Sequence, residues 1–249
     1  MPGIQKTLKQ LIPSLWWPSR YLPDMVAQSS NSIVMDGPLK GLKYSGAAIG
    51  SALAPKLLGC YEKELQDICE EIVRLQPHHV IDIGAAEGYY AVGLALRCPR
   101  AKVTAFELTE DGRRLLGEMA RHNGVHLDIR GACEPEGLRA VLAQVGKTVV
   151  ICDCEGYEKV LLDPVDLPAL GSCWILVELH EFACPGIGQT LKDRFSSTHS
   201  IDEIQAVERT ADDFPLKTRW TPEKYLRWIV SENRPGPMSW LWLRPLGQT

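Results

Sequence analysis

The pattern of apolar and polar positions changes near residue 60. Before it, the chain is rich in Pro, Gly and Ser, with turn signals at Asp36-Gly37-Pro38 and Gly41, which indicates short irregular elements. After it, apolar residues recur at helical spacing from Tyr61 to Leu75, and Pro77 ends the pattern. We therefore expect an N-terminal helical or irregular extension over residues 1–59 and one α/β domain over residues 60–249.

Beyond Pro77, short β-branched runs alternate with amphipathic segments, as in strand-helix-strand units. Strands are predicted at 79–83, 102–106, 125–129, 148–152, 174–179, 200–207 and 239–244, and helices at 88–96, 110–123, 135–144 and 187–195. Thr109 is predicted to cap the helix that ends at Asn123-Gly124. The pattern favours a Rossmann-like fold: a seven-stranded, mostly parallel sheet with helices on both faces.

Composition narrows the choice of partners and compartment. The formal net charge is -4, so no overall positive field attracts nucleic acid, and we expect no nucleic-acid partner. Several of the eight cysteines lie in apolar runs, which suits buried thiols in a reducing compartment. Cys152 and Cys154 lack a second Cys or His pair at zinc-finger spacing, so no structural zinc is expected. We expect a cytoplasmic protein.

An apolar stripe near the N-terminus leaves two alternatives open. No run reaches the ~18 consecutive apolar residues that a membrane span requires. Ile4, Leu8, Leu11 and Leu15 fall at helical spacing with basic and tryptophan neighbours, so residues 4–20 could contact a membrane surface. We favour packing against the protein's own body, as for most short amphipathic helices. The sequence does not set the oligomeric state.

The segment Val80-Ile81-Asp82-Ile83-Gly84-Ala85-Ala86-Glu87-Gly88-Tyr89-Tyr90 carries the clearest chemical signal. An apolar strand runs into a loop of Gly and Ala and then into a helix. Small residues there let the backbone approach a ligand at the carboxyl edge of the sheet. A tight turn that binds nothing is the alternative.

A nicotinamide or flavin dinucleotide is the rival ligand, because its fingerprint also follows a first strand. That fingerprint requires glycine at the first, third and sixth loop positions, which here hold Gly84, Ala86 and Tyr89. Asp82, just before the loop, suits a cationic amino-acid ligand better than a pyrophosphate.

Two further acids follow predicted strands. Glu107 lies 25 residues after Asp82 at the end of the second strand, where a carboxylate can accept both hydroxyl hydrogens of a ribose. Asp153 ends the fourth strand. Together with the loop of residues 84–88, called the glycine loop below, the two acids predict a nucleoside site.

These motifs resemble those of class I S-adenosylmethionine-dependent methyltransferases. Within that superfamily, the run from Val150 to Glu158 is similar to the Asp-x-Glu-Gly-aromatic-Glu segment of FkbM-type methyltransferases, and the similarity touches Gly59-Cys60-Tyr61-Glu62 and Val177-Glu178-Leu179-His180. Many members of that group methylate hydroxyls of sugars and natural products. The resemblance implies that S-adenosylmethionine is held by Asp82, Gly84, Ala85, Ala86, Gly88, Glu107, Leu108 and Asp153.

A methyltransferase that acts on a hydroxyl needs a base near the ends of strands four and five. The candidates are Glu155, Glu178 and His180, of which His180 is favoured because its ordinary pKa of ~6.5 makes the neutral ring available near neutral pH. His180 could instead only order a loop, and His199 is interpreted as structural. Asp153, Glu178 and His180 could hold a divalent cation, although their spacing does not demand one, and no metal is expected.

The sequence therefore predicts O-methylation of a small-molecule or glycan hydroxyl. A non-catalytic Rossmann-like binding protein and an NAD-dependent oxidoreductase are the alternatives. The acceptor itself cannot be inferred from fold-level resemblance.

Overall fold

The computed structural model describes residues 18–45, 48–143, 146–214, 223–234, 236 and 238–247. The apolar stripe at Ile4, Leu8, Leu11 and Leu15 lies outside these residues, so both of its interpretations stay predictions. In the described part of the chain, no helix combines the length and the apolar character needed to cross a bilayer.

Seven strands form one sheet. They are β1 (His79–Ile83), β2 (Lys102–Phe106), β3 (Asp128–Arg130), β4 (Thr148–Cys152), β5 (Trp174–Leu179), β6 (His199–Gln205) and β7 (Ser239–Pro245). Their order is β3-β2-β1-β4-β5-β7-β6, with only β7 antiparallel to its neighbours. The chain direction across the sheet reverses between β1 and β4, and such a switch point opens a crevice at the carboxyl ends of the strands. The predicted fold class is confirmed.

The helices of the described residues are α1 (Pro18–Ser29), α2 (Leu53–Leu58), α3 (Gln66–Leu75), α4 (Tyr89–Arg97), α5 (Glu110–Asn123), α6 (Pro135–Leu142), α7 (Glu158–Leu161), α8 (Ile187–Phe195) and α9 (Glu223–Val230). Short 3-10 turns lie at Lys63–Leu65, Pro168–Ser172 and Ala211–Asp213. Thr109 caps α5 as predicted, because its Oγ1 accepts a hydrogen bond from the Gly112 N–H at 3.1 Å.

Four strands, β1, β2, β4 and β5, begin and end at the predicted residues, whereas β3 begins three residues late. The predicted start at Val125 is wrong because Val125 still donates its N–H to Ala120 O at 3.1 Å, beyond the left-handed Gly124. The helix predicted from Tyr61 begins only at Gln66, since Glu62 has a left-handed φ of 44°.

Each face of the sheet carries its own core. Val149 and Ile151 of β4 belong to one core, and Val150 and Cys152 to the other, because successive side chains of a strand point to opposite faces. The first core also includes residues of the extension: Val26, Val34, Leu39, Leu42, Leu57 and Leu58. All eight cysteines are free, and six of them are buried, as their apolar surroundings predict.

A buried carboxylate fastens the extension to the glycine loop. Glu87 Oε1 accepts hydrogen bonds from Tyr44 Oη at 2.9 Å and Lys56 Nζ at 2.6 Å, and Oε2 accepts one from Ile49 N at 2.9 Å. Burial alone would raise the pKa of Glu87, but the Lys56 charge keeps it below its ordinary value. The segment that follows Tyr44 is therefore held against the carboxyl edge of the sheet.

Candidate functional site

The glycine loop approaches the end of β4 through backbone contact. Gly84 has a φ of 85°, and a Cβ at this position would lie 1.6 Å from the carbonyl oxygen of Asp153. Asp153 N also donates to Ile83 O at 2.9 Å. No side chain larger than hydrogen fits at residue 84 without separating the ends of β1 and β4.

The loop is tied equally closely to β2. The N–H groups of Gly84 and Ala85 both donate to Phe106 O at 3.0 Å. Ala86 N donates to Glu107 Oε2 at 3.0 Å, while Glu107 Oε1 accepts from Thr109 N at 2.8 Å and Thr109 Oγ1 at 2.6 Å. The acid predicted to bind ribose is thus fixed in place, and Oε2 keeps a lone pair for one further donor.

Asp82 lies beneath this loop and is 3% exposed. Burial raises its pKa to about 7, although the backbone N–H of Ala91 donates to its carboxylate and partly offsets the shift. Among the described residues, no Lys or Arg forms an ion pair with Asp82. A cationic ligand at the loop would supply the missing charge.

Tyr89 occupies the position where a dinucleotide fingerprint requires its third glycine. Its buried ring packs edge-on against Tyr61, with 5.4 Å between ring centroids, and against Tyr90 at 5.2 Å. A packed aromatic side chain therefore occupies the position at which a dinucleotide site needs glycine. This packing disfavours the NAD-dependent alternative.

The three predicted base candidates do meet at the carboxyl ends of β4 and β5. His180 is 2% exposed, and its Nε2 lies 3.5 Å from Asp153 Oδ1, 3.6 Å from Glu155 Oε2 and 3.7 Å from Glu178 Oε2. Glu178 and His180 share one face, as the two-residue alternation predicts. Unlike the buried His180, Glu155 is exposed to solvent over 81% of its side chain.

The ring of His180 is oriented by a residue to which the sequence analysis gave no role. Glu158 is fully buried, and its Oε1 accepts from His180 Nδ1 at 2.8 Å and from Cys154 N at 3.0 Å. The available signal was its place as the last acid of the Asp-x-Glu-Gly-aromatic-Glu segment. Because an ionised carboxylate only accepts, Nδ1 donates, and the neutral ring presents Nε2 as an acceptor.

Electrostatics at this cluster favour bound protons. Burial alone would lower the pKa of His180, but the hydrogen bond to Glu158 and the charges of Glu178 and Glu155 raise it above its ordinary value. Burial and the neighbouring Glu178 carboxylate also raise the pKa of Asp153. The site therefore has a surplus of negative charge.

A second missed group is Arg234, which binds Glu178 at 2.6 Å and Glu232 at 2.8 Å and also contacts Glu62. It brings the segment after α9 to the end of β5. Because 56 residues separate Arg234 from Glu178, no local pattern in the sequence could reveal the contact. His199, by contrast, is structural as expected, since its Nε2 contacts Cys173 O at 2.8 Å.

A cavity of about 160 Å³ opens beside these groups. Gly50 and Ser51 of the extension form part of its wall, together with Asp153, His180 and Arg234. A larger cavity of about 700 Å³ lies at the amino end of β2, and another of about 490 Å³ adjoins the smaller one, with which it shares Glu232, Asn233 and Arg234. Because ligands of this fold class bind at the carboxyl ends of the strands, we take the cavity of about 160 Å³ as the candidate functional site.

The cluster also has the shape of a cation site. One ligand atom each from Asp153, Glu155 and His180 lie within 4.8 Å of one another. The set predicted from the sequence has Glu178 in place of Glu155. Such a set of carboxylates and imidazole can bind a divalent metal.

The residues at the carboxyl ends of β1 and β2 also fit a sulfonium nucleoside that carries an amino acid. Asp82 lacks a cationic partner in the described chain, Glu107 retains acceptor capacity, and Leu108 beside it is 73% exposed, leaving an apolar surface for a base. Ala85, Ala86 and Gly88 keep the loop free of bulk.

No known protein family and no curated protein matches the sequence. Solved structures do match. A precorrin-6y C5,15-methyltransferase from Geobacter metallireducens superposes with a TM-score of 0.50 over 72% of this chain and 87% of its own, at 11% identity. An rRNA methylase from Streptococcus thermophilus superposes with a TM-score of 0.46 over 73% of this chain and 96% of its own, at 12% identity. A methyltransferase from Geobacter sulfurreducens superposes with a TM-score of 0.45 over 97% of this chain and 94% of its own, at 14% identity.

At these identities the likeness shows the fold alone. Together with the strand order, the likeness to the precorrin-6y methyltransferase shows that the chain has a Rossmann-like fold of the kind found in that methyltransferase. The narrower FkbM-type resemblance stays a prediction.

Proposed function

We propose that this protein is an S-adenosylmethionine-dependent methyltransferase that methylates a hydroxyl oxygen of a small molecule or sugar. The observation that carries the proposal is the buried pair of His180 and Glu158, in which Glu158 binds Nδ1 and leaves Nε2 as the acceptor at the cavity by the ends of β4 and β5. A histidine in this arrangement can take a proton from an acceptor bound there.

The cofactor would be held by the residues that line the loop and the adjoining strand ends: Asp82, Gly84, Ala85, Ala86, Gly88, Glu107, Leu108 and Asp153. It supplies a methyl group that is already activated on a sulfonium and leaves as a neutral thioether. Asp82 offers the negative charge for its amino-acid end, and Glu107 the acceptor for its ribose. The chain itself must align the acceptor and remove one proton.

His180 is the proposed base. When the acceptor oxygen receives the methyl group, Nε2 of His180 would take the hydroxyl proton. Glu158 stabilises the imidazolium that results, since a charged hydrogen bond at 2.8 Å strengthens as the ring gains charge. Glu178 and Glu155 face the same nitrogen and add to that stabilisation.

Binding experiments separate this proposal from its alternatives. Titration calorimetry should give heat with S-adenosylhomocysteine and none with NAD. Heat with NAD alone would favour an oxidoreductase, and heat with neither would favour a non-catalytic binding protein.

The cofactor assignment is tested by Glu107→Ala, with Glu118→Ala on α5 as the matched control. The first variant should bind S-adenosylhomocysteine more than tenfold more weakly, because it loses a charge-assisted hydrogen bond of ~1.5–3 kcal/mol. The control should bind like the parent protein. Equal affinities of the two variants would contradict the assigned site.

The base is tested by following isotopically labelled methyl groups into a small-molecule extract of the source cells. His180→Ala should reduce the labelling rate far more than it reduces affinity for S-adenosylhomocysteine. His126→Ala, which removes an exposed histidine, is the control and should change neither. An unchanged rate in His180→Ala would exclude this residue from the chemistry.

A further inference from the structure

The cavity of about 160 Å³, called the acceptor cavity from here on, is lined by more carboxylates than cations. Asp153, Glu155, Glu178 and Glu232 line it, and Arg234 is the one Lys or Arg of the described chain that does. Arg234 is already engaged by Glu178 and Glu232. Within the described residues, Asp153 and Glu155 therefore have no cationic partner except His180 when it is protonated.

The neutral form of His180, which the proposed reaction requires, deepens this imbalance. Glu158 takes the Nδ1 proton, so Nε2 is then a buried acceptor. It faces three carboxylate oxygens at 3.5–3.7 Å, which accept as well. When Asp153 is ionised as well, four acceptors converge on one point with no donor between them, so an occupant that brings donors and positive charge would stabilise this ionised arrangement.

The separations suit such an occupant. The distances from Nε2 to the three carboxylates, 3.5–3.7 Å, are too long for direct hydrogen bonds, since N–H···O bonds span ~2.7–3.2 Å. An ammonium nitrogen can nevertheless lie ~2.8 Å from two oxygens at once, because these charge-assisted bonds are short. A hydroxyl on the same molecule can donate to Nε2.

The mouth of the cavity favours an organic cation over a bare metal ion. Phe182 is 66% exposed there, and its ring lies edge-on to His180 with 5.6 Å between centroids. Tyr61 and Met238 add apolar surface to the wall. Aromatic faces bind ammonium groups and the carbon skeletons that carry them, whereas they are not ligands for a divalent ion.

We propose that the methyl acceptor is an amino alcohol, such as an amino sugar, whose protonated amine lies close to the hydroxyl that is methylated. This inference rests on the proposed function. Asp153 and Glu155 bind the ammonium group, Nε2 of His180 accepts the hydroxyl hydrogen, and Phe182 packs against the carbon skeleton. With the ammonium in place, the Asp153 carboxylate no longer lacks a counter-charge.

The first experiment removes amines from the acceptor pool. A small-molecule extract of the source cells is divided, and one half is treated with acetic anhydride under conditions that acetylate amines and spare hydroxyls. Both halves are incubated with the full-length protein and labelled S-adenosylmethionine. Labelling should fall more than tenfold in the treated half, and mass analysis of the product from the untreated half should show a methyl ether and a free amine.

The outcomes separate this inference from the proposed function. Equal labelling of the two halves, or a methyl group on nitrogen, refutes the amino-alcohol acceptor but leaves a methyltransferase. Failure to bind S-adenosylhomocysteine refutes the proposed function. Binding of S-adenosylhomocysteine without labelled product from either half counts against both proposals.

A second experiment tests the assigned contact with the labelled acceptor purified from the first. Glu155→Gln should raise the KM for the acceptor about fivefold, a modest effect because Glu155 is solvent-exposed, and should leave S-adenosylhomocysteine affinity unchanged. Glu136→Gln on the exposed face of α6 is the matched control. If MgCl2 or MnCl2 binds the parent protein in calorimetry and Glu155→Gln abolishes that binding, a metal occupies the site and the proposal is wrong.

Discussion

Asp82→Asn should stabilise the protein at neutral pH while weakening its cofactor site. Asp82 is 3% exposed, and burial raises its pKa to about 7 from the ordinary value of 3.8. Asparagine matches the shape of the protonated acid and keeps an oxygen for the N–H of Ala91. The substitution therefore removes the cost of ionising a buried group without removing its packing.

The sign and size of the stability change follow from the difference between the pKa of Asp82 in the folded and in the unfolded chain. Below pH 4 the carboxyl is protonated in both states, and Asp82 contributes nothing to the pH dependence. Between pH 4 and pH 7 the unfolded chain releases this proton and the folded chain keeps it, so rising pH favours unfolding. The difference of about three pKa units corresponds to a penalty of about 4 kcal/mol that is complete above pH 7.

The measurement is the free energy of urea unfolding at pH 4, 6 and 8. The difference between Asp82→Asn and the parent protein should be near zero at pH 4 and should grow to a few kcal/mol at pH 8. Asp166→Asn, at an exposed position, should show no such trend. A constant difference across the pH range, or a less stable Asp82→Asn at pH 8, would refute the reasoning.

The same variant should bind S-adenosylhomocysteine more weakly, since the buried charge that destabilises the free protein is the charge offered to the ligand. Calorimetry at pH 6 in buffers of different ionisation enthalpy should also show proton release when the parent protein binds. Loss of that release in Asp82→Asn would assign the proton to this carboxyl. Release of equal size in both proteins would assign it elsewhere.

Two further predictions concern buried charges. The kcat/KM for methyl transfer should rise with pH through the raised pKa of His180, because only the neutral ring accepts a proton. Glu158→Gln should move this rise to lower pH and reduce the plateau. A pH profile that does not move in the variant would contradict the pairing of His180 with Glu158. Lys56→Met should cost about 3–5 kcal/mol in urea unfolding, because it leaves Glu87 buried without its cation, and Lys56→Met with Glu87→Gln should recover part of the loss. No recovery would show that the ion pair is not the cause.

The sheet and the cofactor edge were predictable because their signals are local. A parallel strand buried on both faces is a continuous apolar run, and β1, β2 and β4 each end where such a run meets an acid or a glycine. Asp82, Glu107 and Asp153 could therefore be placed at one edge from their positions alone. β3 was misplaced because Val125, although β-branched, is still bound to the end of α5.

The remainder of the site depends on contacts between distant parts of the chain. Arg234 meets Glu178 across 56 residues, and Lys56 meets Glu87 across 31. Neither pair has a periodicity or spacing that distinguishes it from ordinary surface charge. Even Glu158, whose motif was recognised, received no role, because its distance to His180 is set by how α7 lies against β5.

Asp153 joins the two halves of the site. Its carbonyl oxygen lies where a Cβ of residue 84 would be, and its N–H donates to Ile83, so its backbone belongs to the cofactor loop. Its carboxylate faces Nε2 of His180 at 3.5 Å, so its side chain belongs to the acceptor cavity. A ligand that displaces the glycine loop must therefore displace the carboxylate as well. Because both proposed ligands are cationic, the surplus of negative charge in the carboxylate cluster around Asp153 provides a physical reason for their binding at adjacent positions.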